Sequence, residues 1–263
     1  MTATLEQAAF GQRPDLPVTA VPGEPRARWL AAVVLGGQGR YARAATILDD
    51  LMTDPGDVGA LAAATLASHR RQLGAHAAAR PLDARALVRA TSDDARADAL
   101  LGLAADAIGA GRLGEAMRLR DRAPQTTWRA RVRAGWVSAE IELSAGRADR
   151  ARPYAERALE SVGSATRHRV KSEIVLGATL VESDPAMALK LVTRARDDAT
   201  DLCLSSLVWP ASMLLAQLDP DEALTHRRCA AMALHSVLRR ADPRGRELAE
   251  RSPWVPSVTG PTG

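Results

Sequence analysis

The chain has 263 residues, 46% of them hydrophobic but only 3% aromatic, and a formal net charge of +4. No stretch reaches the roughly 18 consecutive apolar residues of a membrane span, no long block of one sign marks a nucleic-acid-binding tail, and Cys203 and Cys229 are too isolated for a disulfide framework. The apolar residues are mostly alanine and leucine, and valine and isoleucine show no period-2 alternation, so an all-α fold is predicted.

Residues 1–24 carry Pro14, Pro17, Pro22, Gly11 and Gly23 without a helical period or a signal-peptide pattern, and read as a flexible leader. From residue 25 the chain keeps a beat. Gly39, Gly74, Gly111 and Gly146 are 35, 37 and 35 residues apart, and five residues after each stands Ala44, Ala79, Ala116 or Ala151. Twelve residues after the last three glycines stand Ala86, Ala123 and Ala158, with Leu51 in that place in the first copy. A period of this length marks stacked helix pairs, none of which buries its faces alone.

The same frame extends to Ser183, with Ala188 and Ala195, and to Leu218, with Ala223 and Ala230. Six units follow, over approximately 25–55, 57–90, 93–125, 127–162, 166–200 and 204–239, each two antiparallel helices. The glycines supply the left-handed residue that ends a helix. Ser183-Asp184-Pro185 and Asp219-Pro220-Asp221 instead place a cap and a proline that start the next one. Ala79-Arg80-Pro81 with Arg85-Ala86-Leu87 recurs as Ala151-Arg152-Pro153 with Arg157-Ala158-Leu159, each proline near the start of a second helix. Asp242-Pro243 starts a capping helix through Glu250 with Trp254 folded behind it, so the repeat domain spans 25–251 and residues 252–263 read as a flexible tail.

These units resemble the tetratricopeptide (TPR) family. The first carries Gly39, Tyr41, Ala44, Leu48 and Pro55 near the family's Gly, Tyr, Ala, Phe and Pro; the third carries Leu100, Leu103, Ala104, Gly111, Ala116 and Ala123; the fourth carries Gly146, Ala151, Ala158 and Leu159. The last two units lack the turn glycine, and Pro210 enters the first helix of the sixth. The resemblance implies an α-solenoid, a right-handed superhelix whose concave groove, lined by first helices, holds peptides or helices of other proteins.

Trp29 and Trp136 occupy one place in units one and four, with Arg26 and Arg133 three residues before them; Leu101 and Glu173 share the phase and Glu140 lies one turn after Trp136. One reading makes these a groove that grips an acidic or aromatic peptide; the other makes both tryptophans core anchors. Arg129, Arg131 and Arg133, then Arg167, His168, Arg169 and Lys171 one unit later, form either a basic edge for phosphate or an acidic segment, or a solvated face paired with Asp and Glu. His226, Cys229, His235 and Cys203 lack the close ligand spacing of structural zinc, so no metal is expected. GxSxG, GxxxxGK[ST], HExxH and the dinucleotide fingerprint are all missing, and Gly36-Gly37-Gln38-Gly39 reads as an inter-helix turn.

The expectation is a cytoplasmic, non-enzymatic adaptor without a cofactor, not attached to a membrane, that binds another protein or peptide in its groove. The alternative is a regulatory domain that binds nucleic acid or a phosphorylated ligand through the arginine edge. A third reading is self-association through an uncapped end of the solenoid.

Overall fold

The computed structural model describes residues 2–21 and 23–256, and among these the chain is helical throughout, without strands. The helices are α1 (Thr2–Phe10), α2 (Pro25–Gly37), α3 (Tyr41–Leu51), α4 (Asp57–Gln72), α5 (His76–Arg89), α6 (Asp93–Gly109), α7 (Leu113–Asp121), α8 (Trp128–Ser144), α9 (Ala148–Glu160), α10 (Thr166–Thr179), α11 (Pro185–Asp201), α12 (Ser205–Leu218), α13 (Ala223–Arg239) and α14 (Pro243–Glu250). From α2 to α13 they form six consecutive pairs that stack into an α-solenoid.

Local chemistry sets the turns. Gly39, Gly74, Gly111 and Gly146 all sit near φ +71°, and the residue after each donates its N–H back across the turn, Arg40 to Leu35 O, Ala75 to Arg70 O, Arg112 to Ala107 O and Arg147 to Glu142 O. The fifth unit turns differently: the Asp184 carboxylate accepts the Met187 N–H and Pro185 opens α11. At the end of α11, Cys203 adopts φ 56° and Leu204 N–H bonds Ala199 O, so a cysteine stands in the glycine's place. Pro81 and Pro153 lie at equivalent positions inside α5 and α9 rather than at their first turns.

The first helices of the pairs form an inner layer, α2 against α4, then α6, α8, α10 and α12, while each second helix packs between its own first helix and the next. The beat alanines are the contact points: Ala44, Ala79, Ala116, Ala151 and Ala188 are fully buried, which lets neighbouring backbones approach closely. Ala223, in the sixth unit, is only half-buried.

The inner layer closes on itself. α12 packs against α2, and the Ser206 hydroxyl donates to Gly37 O. Ala42 N–H donates to Arg240 O, Arg70 pairs with Asp242 at 2.7 Å, and Tyr41, Leu73, Val237, Ala241 and Ala249 share one core cluster. The N-terminal end of α12 meets the C-terminal end of α2 at this closure.

Both chain ends depart from the sequence expectation. The leader holds α1, whose Ala8 and Ala9 are buried, and Leu16 and Val18 pack into the core of units one and two. The first part of the tail also packs: the Ser252 hydroxyl donates to Gly74 O, Trp254 lies edge-on to His76 and Val255 joins the seam. The expected tail from residue 257 onward lies outside the described residues. α14 does form at Asp242-Pro243, with the Asp242 carboxylate capping Gly245 N–H.

Candidate functional site

The repeat period is written into polar contacts between equivalent places of adjacent units. Trp29 Nε1 donates to Thr65 Oγ1 at 2.9 Å, and 107 residues along Trp136 Nε1 donates to Ser172 Oγ at 2.8 Å, each partner 36 residues ahead. Arg71 reaches Asp106, Arg80 reaches Glu115, Asp94 meets Arg129 and Asp98 meets Arg133, all 35 residues apart. These ladders take up four of the residues that the sequence singled out for ligand contact, Trp29, Trp136, Arg129 and Arg133.

Trp29 and Trp136 are buried, 2% and 8% exposed, and Leu101 in the same phase is fully buried, so with α1 in place none of the three faces an open groove. Glu173 is also buried and takes Arg169 and Arg194 on one oxygen, at 2.9 and 2.8 Å. Lys171 pairs with Glu140 at 3.7 Å and stands 4.4 Å over the Trp136 ring; burial lowers its pKa, with Glu140 opposing and Arg133 and Arg167 adding to the fall.

The expected basic edge is dispersed. Arg129 is buried between Asp94 and Asp98, and Arg169 pairs with Glu173 and Asp198. Burial opposes the charge on Asp98, yet Arg129 and Arg133 outweigh it and hold the carboxyl below its usual range. Arg131 is exposed and reaches only the Gln125 and Thr126 carbonyls. Arg167 lies at the seam against Gly37 and Leu204, with no carboxylate partner among the described residues; burial lowers its pKa.

What the inner face does bring together is an aromatic cluster at the rim where α1 sits. Phe10, the chain's sole phenylalanine, has its ring 5.6 Å from Trp29 and 6.0 Å from His168. His168 stacks on Trp136 at 5.5 Å and takes the edge of Trp128 at 5.0 Å. The Arg129 guanidinium from α8 lies 5.2 Å from the Phe10 ring and 5.7 Å from Trp29 of α2, so side chains bridge the lumen. Burial holds His168 well below its ordinary pKa, with Arg167 and Arg129 adding, which keeps it a neutral stacking platform.

The rest of the N-terminal segment is held by main-chain recognition. Thr166 N–H donates to Gly11 O; Gln38 Nε2 donates to Pro14 O and Leu16 O, both at 3.0 Å; Arg43 donates to Val18 O. Arg26, three residues before Trp29, lies 5.8 Å over its ring and pairs with Glu6 at 2.8 Å. Of the expected groove residues, Arg26, Trp29 and Trp136 thus belong to this cluster, and Arg133 contributes only through Asp98, which also holds Arg129.

The other candidates separate. Cys203 is an exposed turn residue, Cys229 accepts from the Ser212 hydroxyl, His226 faces Asp219 at 3.6 Å, and His235 is exposed. Among the described residues no three His, Cys, Asp or Glu side chains are grouped to hold a metal ion, and no helix is long and apolar enough to cross a membrane. Asp83 and Asp106 clamp Arg71 from α5 and α6; burial pushes both carboxyls upward, and Asp83 fills the room left by Gly102. That cluster joins units two and three.

The sequence reading missed Phe10, although Leu5, Ala8 and Ala9 have the three- and four-residue spacing of a one-sided helix. No protein-family model matches the chain, and no curated protein matches it.

Proposed function

We propose that the protein is a non-catalytic, TPR-like adaptor that receives a short segment of another protein at the aromatic rim of its helical ring. The observation that carries this is the seat of α1. Four of the chain's eight Phe, Trp and Tyr residues converge there, Phe10, Trp29, Trp128 and Trp136, around a segment grasped largely through its carbonyls. Recognition of backbone plus one aromatic anchor is the way peptide sites combine affinity with specificity. The rim arginines support a protein ligand over nucleic acid, since Arg129 and Arg133 are neutralised by Asp94 and Asp98.

The test is site-directed photo-cross-linking in cells that express the chain. A photoreactive side chain at Arg131, exposed on α8 beside the rim, is expected to capture one protein partner. Capture from Leu224 or Met232 on the exposed face of α13, with none from the rim, overturns the reading.

A further inference from the structure

The seat of α1 is complete without α1. Each of its walls is anchored by a contact inside the ring: Trp29 by Thr65, His168 by Trp136 and Trp128, Arg129 by Asp94 and Asp98, and Gln38 by its place at the end of α2. α1 itself is held by one face only, through Leu5, Ala8, Ala9 and Phe10. Two of its nine residues are buried, Thr2, Ala3, Thr4 and Gln7 are exposed, and the described residues of the connection to α2, from Thr19 to Glu24, are exposed as well. A Cβ at Gly23 would meet nothing within 4 Å.

A site whose walls are anchored by the ring's own contacts, with a one-sided occupant on an exposed tether, has the anatomy of a receptor carrying its own ligand. Resting on the adaptor reading above, we propose that residues 2–18 are an exchangeable internal ligand, and that the partner is a short helix bearing the same two side-chain features. These are a carboxylate and, four residues later, an aromatic ring, as Glu6 and Phe10 are spaced, followed by a non-helical stretch with a turn that offers carbonyls to Gln38 and Arg43. The carboxylate meets Arg26, and the ring enters between Trp29, His168 and Arg129. The tethered arm competes at the high effective concentration of an intramolecular ligand, so a partner binds by displacing it. Its ordering on the ring also follows from length, since a nine-residue helix is marginal alone in water.

The experiment uses the full chain with a protease site inserted at Gly23 and cut after folding. The probe is a fluorescein-labelled synthetic peptide of residues 2–18, read by anisotropy, with circular dichroism on the same samples. The cut chain is expected to exchange its arm for the labelled peptide while keeping its helicity. The uncut chain is expected to bind it at least tenfold more weakly, and peptides carrying Phe10→Ala or Glu6→Arg to lose at least tenfold on the cut chain. An arm that never exchanges, an arm whose departure unfolds the ring, or equal binding of the Phe10→Ala peptide each overturns the proposal. Exchange as expected, combined with no cross-linked partner at the rim, leaves the internal ligand standing and removes the adaptor reading.

Discussion

The four turn glycines share one conformation but not one environment. Gly39 and Gly74 are roofed by the C-terminal elements: a Cβ at 39 would lie 2.9 Å from Val237 Cγ2 and one at 74 would lie 3.1 Å from Trp254 Cβ. A Cβ at Gly111 or Gly146 would meet nothing within 4 Å. The residue before each glycine differs accordingly. Gln38 and Leu73 are buried and hold the N-terminal segment and the seam, whereas Ala110 is exposed and Ala145 half-buried. One turn chemistry thus serves both the bare side of the ring and its closure, and the preceding side chain tells the two apart.

The sharpest way to break that contrast is Leu73→Ala. Leu73 is fully buried in the seam, so its truncation is expected to cost about 3 kcal/mol in denaturant unfolding, while Ala110→Leu at the equivalent bare position moves stability by less than about 0.5 kcal/mol. A comparable effect at both positions would show that the seam carries no special share of stability.

The glycines give the next effect. Gly111→Ala meets only the left-handed backbone cost, about 1 kcal/mol, whereas Gly39→Ala adds the clash with Val237 and is expected to reach about 2 kcal/mol. Cys203→Gly runs the other way and is expected to gain about 1 kcal/mol, since the exposed cysteine now bears that backbone cost. Equal losses at 39 and 111, in the same unfolding assay, would erase the distinction between roofed and bare turns.

Acid gives the smallest effect. His69 is buried, stacked on Tyr41 at 4.9 Å, and burial drives its pKa down to about 3, with Arg167 and Arg70 adding. The unfolded chain takes up a proton near pH 6.5 and the folded chain does not. The stability from neutral His69 is therefore complete above pH 6.5 and is lost as pH falls, by about 1 kcal/mol at pH 5.5. His69→Gln is expected to flatten the dependence of unfolding free energy on pH between 6.5 and 5 by one proton's worth. An unchanged slope in the His69→Gln chain would assign the sensitivity elsewhere.

The fold was largely legible because its signal is local. A left-handed glycine, a small residue five places later and a proline-led helix start each act within one turn, and the observed helix pairs match the six spans read from them, only α11 running one residue past its span. The site was much less legible. Trp29 and Trp136 were visible as a repeated pair, but their indole N–H groups end on Thr65 and Ser172, one unit away, which makes them core. The arginine edge dissolved for the same reason: Arg129 and Arg133 have their carboxylates 35 or fewer residues back, in the preceding unit. Reading the frame for polar pairs at that separation recovers both. Phe10 and the seam are different, since contacts such as Ser206 to Gly37 span 169 residues and no local rule reports them.

An open array of helix pairs can lengthen or shorten by whole copies, because each unit touches only its neighbours. Here the last unit and the residues that follow it dock on the first two units through Ser206, Arg240 and Asp242. Copy number is therefore a structural constant of this protein: a duplicated or deleted unit would carry α12 past the end of α2 or leave it short, and either change would separate Gly39 from Val237 and unroof the turn.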